Sequence, residues 1–497
     1  MPRVNIREID NTGSDTRSYI ENIALLPALK IEGYDKDRNL ITVDGTYTTL
    51  SAFEAQVLKV FETISVEWES GDEVEQKAKD ELIRMKDVFI QDKGYAMAHI
   101  LLTYGLPIDY KGLYTLTINS QESGEYVTVE PNIDDLKDSG LLSKLYDDYS
   151  DKAKYDGKFI LPPYIDLNVK EEEEIIDGQV VPGIKERFIL ASDTLAIKCG
   201  GTRGDSYGLV YSPNYLKDAK EVDTWIQNNF SQTCGNPIPR PAVSWAVNET
   251  TEVFGSYGTH FRSNFIIPKY KITAPFLYAE EKQLKAVEYT FINAVFPAYL
   301  DYLLCYVTHT KVTPDWFAIS GATRGACPLS SIKLIEKYGD ADIDLFQPRD
   351  GDDNKGHIAT NAICNIRPYG DIIWGNRTMH PLNVPANGSS DAVQLVASDF
   401  LNIRSLCCDI KKAVYRAARR YTFDPNTDEL WFNFKSMITP LLEKMKSNQG
   451  IRDYQYIKVA TKKKALLAAK IIITPIEAVE DFDITIQLDD SIEVAQN

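Results

Sequence analysis

Histidine and cysteine are scarce in this chain. Only 5 His and 7 Cys occur among 497 residues, with no C-x-x-C pair and no metal-like spacing of cysteine to histidine. That excludes the common zinc-ligand patterns, and an odd number of scattered thiols points to reduced cysteines in a cytoplasm rather than a disulfide framework. Neither a His-Glu-x-x-His metal helix nor a serine nucleophile elbow is read here. The glycine-rich stretch Gly200-Gly-Thr-Arg-Gly-Asp205 lacks the Lys-Ser/Thr pair that cradles a phosphate, so no nucleotide loop is expected. No run approaches the roughly 18 apolar residues of a membrane span; the most apolar stretch, 294–307, is broken by Pro297 and Asp301. The first residues, Met-Pro-Arg-Val-Asn-Ile-Arg-Glu, lack the apolar core of a signal peptide, so the protein is expected to remain where it is made.

A basic surface is missing as well. The net charge is −18, against what phosphate neutralisation requires, so direct nucleic-acid binding is not expected. The charge is uneven: residues 401–470 hold 15 Lys and Arg against 6 Asp and Glu, a net of +9, which leaves −27 on the rest. One basic face on an acidic chain suits an acidic partner.

What is present reads as a multidomain globular chain. Hydrophobic residues make up 44% and charged residues 25%, and a length prior of roughly 150 residues per domain predicts about three units. Val4 and Ile6 alternate with Arg3, Asn5 and Arg7 before the turn formers Asp10-Asn-Thr-Gly-Ser14, a short strand with no partner nearby in sequence. Phe53, Val57, Val60 and Phe61 predict an amphipathic helix from about residue 51, preceded by a turn at Thr42-Val-Asp-Gly45. A second helical stretch is expected over 73–92, then a helix running into a strand over 95–107. Residues 188–213 read as strand, glycine-rich turn, strand. Val222, Trp225, Ile226 and Phe230 place a helix over 218–231. Glutamates 171–174 read as a solvated surface loop. Asp340-Ala-Asp-Ile-Asp344 opens like a calcium loop but has Leu345 where glycine is needed, and Asp350-Gly-Asp-Asp-Asn354 has the makings of an exposed turn. His357, His380 and Cys364 read as packing or surface residues.

Two helices dominate the basic region. Ile403, Leu406, Cys407, Ile410, Val414 and Ala417 recur at helical spacing, with Lys412, Arg416, Arg419 and Arg420 expected on the opposite side. Asp424-Pro-Asn-Thr-Asp-Glu429 supplies a turn, an N-cap and first-turn acids for the next helix, whose stripe is Leu430, Phe434, Met437, Ile438, Leu441 and Met445. Residues 471–474 read as a buried β run closed by Pro475. Phe482, Ile484, Ile486 and Leu488 then alternate with polar residues, as a half-buried strand that is either part of a local hairpin or in need of another sheet edge.

Several stretches, in order, resemble the C-terminal domain of contractile tail sheath proteins. They are Thr313-Pro-Asp-Trp-Phe-Ala-Ile-Ser-Gly-Ala-Thr-Arg-Gly325, the run from Asn361 that ends Asp371-Ile-Ile-Trp-Gly-Asn-Arg-Thr378, Phe400-Leu-Asn-Ile-Arg404 and Phe423-Asp-Pro-Asn426. Asn376 stands where that family usually has alanine. Leu101-Leu-Thr-Tyr-Gly-Leu-Pro107 and Arg203-Gly-Asp-Ser-Tyr-Gly-Leu209 echo its middle domains. The resemblance implies an α+β multidomain sheath protein with a C-terminal α/β assembly domain and terminal β-strand arms. The expected segments are an N-terminal arm (1–20), an outer or middle α+β domain (21–120), a middle α/β domain with surface loops (121–310), a C-terminal assembly domain (311–479) and a C-terminal strand arm (480–497).

The resemblance also implies a mechanical, non-enzymatic subunit without cofactor or metal. Its arms would carry Val4 and Ile6 at one end and Phe482, Ile484, Ile486 and Leu488 at the other, and pair with neighbouring copies. Lys412, Arg416, Arg419 and Arg420 would face an inner tail tube. Stacked rings or a helical sheath, the tube, baseplate and tail terminator proteins are the implied partners, with no direct nucleic-acid contact and no membrane insertion. The implied place is a phage tail or related injection machine, assembled in the bacterial cytoplasm. Another viral shell or tube protein, an enzyme with an unrecognised site, or an adhesin using Arg203-Gly204-Asp205 are the other readings.

Overall fold

A computed structural model describes residues 23–30, 32–34, 40–66, 92–118, 126–129, 133–136, 140–152, 155–235, 257–278, 283–329, 331–353, 356–382, 393, 395–460 and 466–478. Strands β1 (Ala24–Lys30), β2 (Glu32–Tyr34), β3 (Leu40–Thr42) and β4 (Gly45–Tyr47) lead to helix α1 (Leu50–Val66). Helix α2 (Lys93–Tyr104) runs into β5 (Ile108–Ile118), followed by β6 (Tyr126–Val129), α3 (Leu141–Tyr149) and β7 (Phe159–Ile160). A small hairpin, β8 (Glu174–Ile176) and β9 (Gln179–Val181), precedes α4 (Ile184–Arg203), β10 (Tyr207–Val210), α5 (Ala219–Gly235) and β11 (Gly258–Arg262). A long hairpin of β12 (Phe265–Tyr278) and β13 (Gln283–Phe296) is followed by α6 (Ala298–His309), α7 (Gly321–Arg324), β14 (Lys333–Leu334) and α8 (Asp340–Phe346). Strands β15 (Asn361–Ile366) and β16 (Gly370–Trp374), helices α9 (Leu401–Arg420) and α10 (Asp428–Ser447), and the hairpin β17 (Ile451–Val459) and β18 (Ala468–Pro475) complete the described chain.

A nine-stranded sheet organises this mixed α/β fold, in the order β16-β15-β11-β10-β7-β1-β5-β4, with β6 also on β5. Its centre is parallel, from β15 through β11, β10, β7 and β1 to β5, and antiparallel strands close both ends. Parallel strands need covered faces, and successive residues show it: Leu209 and Ile363 pack into one core, Val210, Ala362 and Cys364 into the other. The strand pairing crosses positions 120 and 310, so the sheet draws on three of the five segments that the sequence reading separates, 21–120, 121–310 and 311–479.

Several expected elements form as their spacing predicts. Phe53, Val57 and Val60 of α1 are buried, as are Val222, Trp225, Ile226 and Phe230 of α5. Helix α2 starts where the Asp92 carboxylate accepts from Tyr95 N at 3.1 Å. The helix expected over 73–92 falls outside the described residues up to 91.

The stretch 188–213 is corrected: its first half is helix α4, not a strand. Phe188, Ile189, Ser192, Ala196, Ile197 and Cys199 are all buried, because the helix is covered on more than one side and shows no single apolar stripe to read. It lies so close to the sheet that a Cβ on Gly208 would come within 2.9 Å of Ala196 C. The glycine-rich stretch is therefore helix end and strand start, and Arg203 and Asp205 are buried against each other at 3.0 Å. An Arg-Gly-Asp buried in this way is not displayed for adhesion.

Two smaller expectations also change. In α10 the buried stripe is Leu430, Phe434, Ile438, Leu442 and Met445, while Met437 is exposed and Leu441 only partly covered. Strand β18 alternates instead of being buried throughout, because it belongs to a two-stranded hairpin with one face on the helices.

Helix α6 is almost wholly buried, and so is its Asp301, whose Oδ1 has no hydrogen-bond partner. Among the described residues no helix is long and apolar enough to cross a membrane. Burial pushes the Asp301 carboxyl up to about 7. The unfolded group titrates near 3.9, so the folded chain binds the extra proton between those values. Stability contributed by Asp301 should fall as pH rises from about 4 to 7 and then level off. Asp301→Asn should remove that loss: melting temperatures recorded from pH 4 to 8 should converge with wild type at the acid end and exceed it at pH 8.

Candidate assembly site

Three of the four stretches that carry the family resemblance meet where α9 docks on the sheet. The turn after β16 begins at Gly375, with φ of +130°, and a Cβ there would lie 1.6 Å from Gln347 Nε2, so only glycine fits. Asn361 on β15 holds the following residue at both backbone groups: Oδ1 accepts from Arg377 N at 2.8 Å and Nδ2 donates to Arg377 O at 2.9 Å. The buried Arg377 guanidinium lies 4.7 Å from the ring centre of Phe400. Asn376 Nδ2 donates to Asn402 Oδ1 at 2.7 Å, and Asn402 Nδ2 donates to Trp316 O at 3.2 Å. The Trp316 indole then donates to Asn448 O at 3.1 Å, just past the end of α10. The Asn376 that replaces alanine is thus part of the polar clasp.

Beside the clasp lies a buried ionic cluster. Lys158, fully buried at the entry to β7, donates to Asp409 Oδ1 at 3.0 Å, Asp315 Oδ2 at 3.2 Å and the Tyr306 hydroxyl at 3.1 Å. Burial alone would lower this amine's pKa, but Asp315 and then Asp409 outweigh it and hold it well above the ordinary lysine value. Burial would raise Asp315, and Lys158 instead holds it below the carboxylate range. One charge from the sheet, one from the Pro-Asp-Trp turn and one from α9 are locked together.

This cluster also corrects the cationic stripe expected on α9. Lys412 is buried, 3% exposed, and donates to Asp156 Oδ1 at 2.6 Å; Arg416 reaches Asp156 Oδ2 at 2.7 Å. Arg419 and Arg420 are exposed. The stripe is split because α9 is flanked on its polar side by the segment leading into β7, whose acids lie far away in sequence. Asp156, Lys158, Asp315 and Asp409 were not singled out from sequence. The one available signal was Asp409, a carboxylate between the apolar Leu406 and Ile410.

The C-terminal unit packs Trp316, Leu406, Ile410, Ala417, Phe434, Ile438, Leu442, Met445 and Ile451 into its own core. Thr427 caps α10, accepting from Leu430 N at 3.2 Å. Strands β17 and β18 pair only with each other among the described residues, with Tyr454, Tyr456, Ile471 and Ile473 turned to the helices. Among the described residues, neither outer edge of that small sheet pairs with another strand. Between α9 and α10, Phe423 is fully exposed with φ of +80°. A bulky residue held there costs about 1–3 kcal/mol, the kind of strain that clusters at functional surfaces. Val4, Ile6, Phe482, Ile484, Ile486 and Leu488 lie outside the described residues.

The remaining candidates, among the described residues, are held in the fold by local partners or lie on its surface. Gly204-Asp-Ser-Tyr-Gly208 does have the G-x-S-x-G spacing, contrary to the sequence reading. It runs from helix to strand rather than strand to helix, and the buried Ser206 hydroxyl donates to Gly157 O at 2.5 Å. His380 pairs with Asp399 at 2.5 Å and His357 with Asp223 at 3.0 Å, and Cys364 is buried. Glutamates 172–174 are exposed, and Asp340–Phe346 is a short helix. Among the described residues no group of three or more His, Cys, Asp or Glu is placed to hold a metal ion.

No family model matches the chain, and no curated protein matches it in sequence. Solved structures do match in fold. A chain of the anti-feeding prophage baseplate aligns at a TM-score of 0.51 and 11% identity, covering 95% of this chain and 94% of that one. A chain of the PVC sheath complex of an extracellular contractile injection system, in its contracted state, aligns at 0.47 and 11%, covering 99% and 98%. A sheath tail protein from Desulfitobacterium hafniense aligns at 0.40 and 9%, covering 96% and 100%. At these identities what is shared is the fold: this chain has the fold of a chain of the anti-feeding prophage baseplate, over nearly the whole length of both.

Proposed function

We propose that this chain is the structural subunit of a contractile sheath, which polymerises around an inner tube and contracts to drive that tube through a target envelope. The observation that carries this reading is the two-stranded β17–β18 sheet, held on a helix pair with both outer edges unpaired among the described residues. The alternating terminal segments, Val4 and Ile6 at one end and Phe482 to Leu488 at the other, are suited to add to such edges on neighbouring copies by β-augmentation. Main-chain ladders keep copies connected while their side-chain faces repack. Contraction then draws on two packings of one chain and needs no nucleotide.

The role is mechanical rather than catalytic. The particle is a phage tail or a related injection machine put together in the bacterial cytoplasm, where the sheath also meets baseplate and terminator proteins. It makes no direct nucleic-acid contact and does not enter a membrane. The tube lies against the α9–α10 tip, where Arg419, Arg420 and Phe423 are exposed, with Lys412 and Arg416 behind them tied to Asp156. Exposed charge pairs are worth about 0 to 1 kcal/mol each, so a ring of them grips the tube and still releases.

Negative-stain microscopy of the protein expressed alone tests the assembly: long hollow cylinders are expected, and a chain that stays a single small species at high concentration overturns it. The Arg419→Glu/Arg420→Glu variant tests the tube contact. It should fold and form tubeless polymers but lose extended sheath on tubes, whereas Lys412→Glu should destabilise the fold itself. Normal extended tails from the arginine variant would place the tube elsewhere.

A further inference from the structure

The β8–β9 hairpin holds apolar side chains out in solvent. Its strands pair only with each other among the described residues. Asp177 and Gly178 close it with φ of +52° and +78°, the two positive values of a tight type I′ turn. Its base is pinned: Glu171 Oε2 accepts from Lys185 N at 2.7 Å, and Arg187 Nη1 donates to Pro182 O at 2.9 Å and meets Glu174 at 2.8 Å. Ile175 and Val180 are register partners, so their side chains share one face, and they are 76% and 65% exposed. Val169, Ile176 and Ile184 add exposed apolar surface close by in the chain. A lone two-stranded hairpin is marginal in water, and an apolar pair fixed on its outside marks a surface that another protein covers. Residues 169–184 hold 5 Asp and Glu against 1 Lys, a net of −4, so the matching surface is apolar and basic.

This chain carries such a surface itself. The β17–β18 sheet turns Tyr454, Tyr456, Ile471 and Ile473 to the helices, which leaves Gln455, Ile457, Lys470 and Ile472 on its outer face. Ile457 pairs with Lys470 and Ile472 with Gln455, so the two isoleucines, each 38% exposed, are diagonal neighbours. Residues 444–476 hold 8 Lys and Arg against 1 Asp, a net of +7, and Lys444, Arg452 and Lys470 are exposed. Each patch is a pair of aliphatic side chains on two strands with charge around it, and the charges are opposite. Both are exposed in the single chain, so a contact between them joins two copies.

We propose that the β8–β9 hairpin of one copy packs Ile175 and Val180 on Ile457 and Ile472 of a second copy, with the hairpin glutamates against Arg452 and Lys470. The contact joins two different surfaces, so it repeats head to tail, as an extended assembly requires. It takes the outer face of the β17–β18 sheet and leaves its edges to the terminal arms. The inference rests on the sheath reading only in that copies of this chain meet; it needs neither a tube nor contraction.

A photo-activated benzophenone side chain placed at Val180 of the full chain, and in a second variant at the adjoining Gln179, tests it, with the attached peptides located by mass spectrometry. Irradiation should give covalent dimers and longer ladders, with the second attachment within residues 451–475. The yield should fall about fivefold or more in the surface variant Glu172→Lys/Glu173→Lys, and also as salt rises from about 0.05 to about 0.5 M, because exposed charges are screened. Adding Arg452→Glu/Lys470→Glu to the lysine variant should restore it. No cross-link from either position, attachment elsewhere or within the same chain, or a yield indifferent to the charge reversal overturns the contact. Micrographs of the same samples separate the two readings: cylinders without this cross-link remove the contact and leave the sheath, whereas the cross-link without cylinders keeps the contact and removes the sheath.

Discussion

Removing residues 480–497 should leave a chain that folds and does not polymerise. The segment carries Phe482, Ile484, Ile486 and Leu488 in unbroken alternation, and the β17–β18 sheet has edges with no partner among the described residues. Trp316, Leu406, Phe434, Ile438 and Leu442 pack into one core among the described residues, so the truncated chain should keep its melting temperature. Each added strand supplies several main-chain hydrogen bonds worth about 0.5–1.5 kcal/mol apiece, and losing a whole ladder at every contact abolishes a lattice built on it. Sedimentation and negative-stain images should show monomers where the full chain gives cylinders. Normal cylinders from the truncated chain would remove the arm from the assembly.

The second large effect concerns a single buried amine. Lys158→Met should cost about 3–5 kcal/mol in denaturant unfolding, because Asp409 and Asp315 are left facing one another without their cation. Much of that cost is the stranded charge rather than the lost attraction. The double variant Lys158→Met/Asp409→Asn should therefore recover a good part of the stability, a non-additive result that identifies the coupling. Acid should act on the wild type in the same direction. Asp315 has a folded pKa below its unfolded value, so its contribution is complete above about pH 4 and is lost as pH falls through the depressed value. Full additivity of the two substitutions would mean that the cluster is not a unit.

Helix positions in the C-terminal unit were legible because each carries an apolar stripe at helical spacing that packs into the unit's core. The spacing of Ile403, Leu406 and Ile410, and the Thr427 cap with its following acids, are local signals that packing does not override. The same logic fails for α4. Covered on several sides, it has apolar and small residues all round, and its glycines read as a turn when one of them lies just past the helix end, at Gly204 with φ of +70°.

The order and spacing of the Trp316, Trp374 and Phe400 stretches could be read along the chain, together with the acidic balance and the basic C-terminal region. Their convergence could not. Lys412 looked like one of four surface cations because its helical face opposes the apolar stripe, yet its partner Asp156 stands 256 positions away. Helical periodicity reports which residues share a face, not what packs on that face. Only the nine-stranded sheet, which carries Asp156 and Lys158 up to α9, decides that two of these cations hold the fold together and that Arg419 and Arg420 remain on its surface.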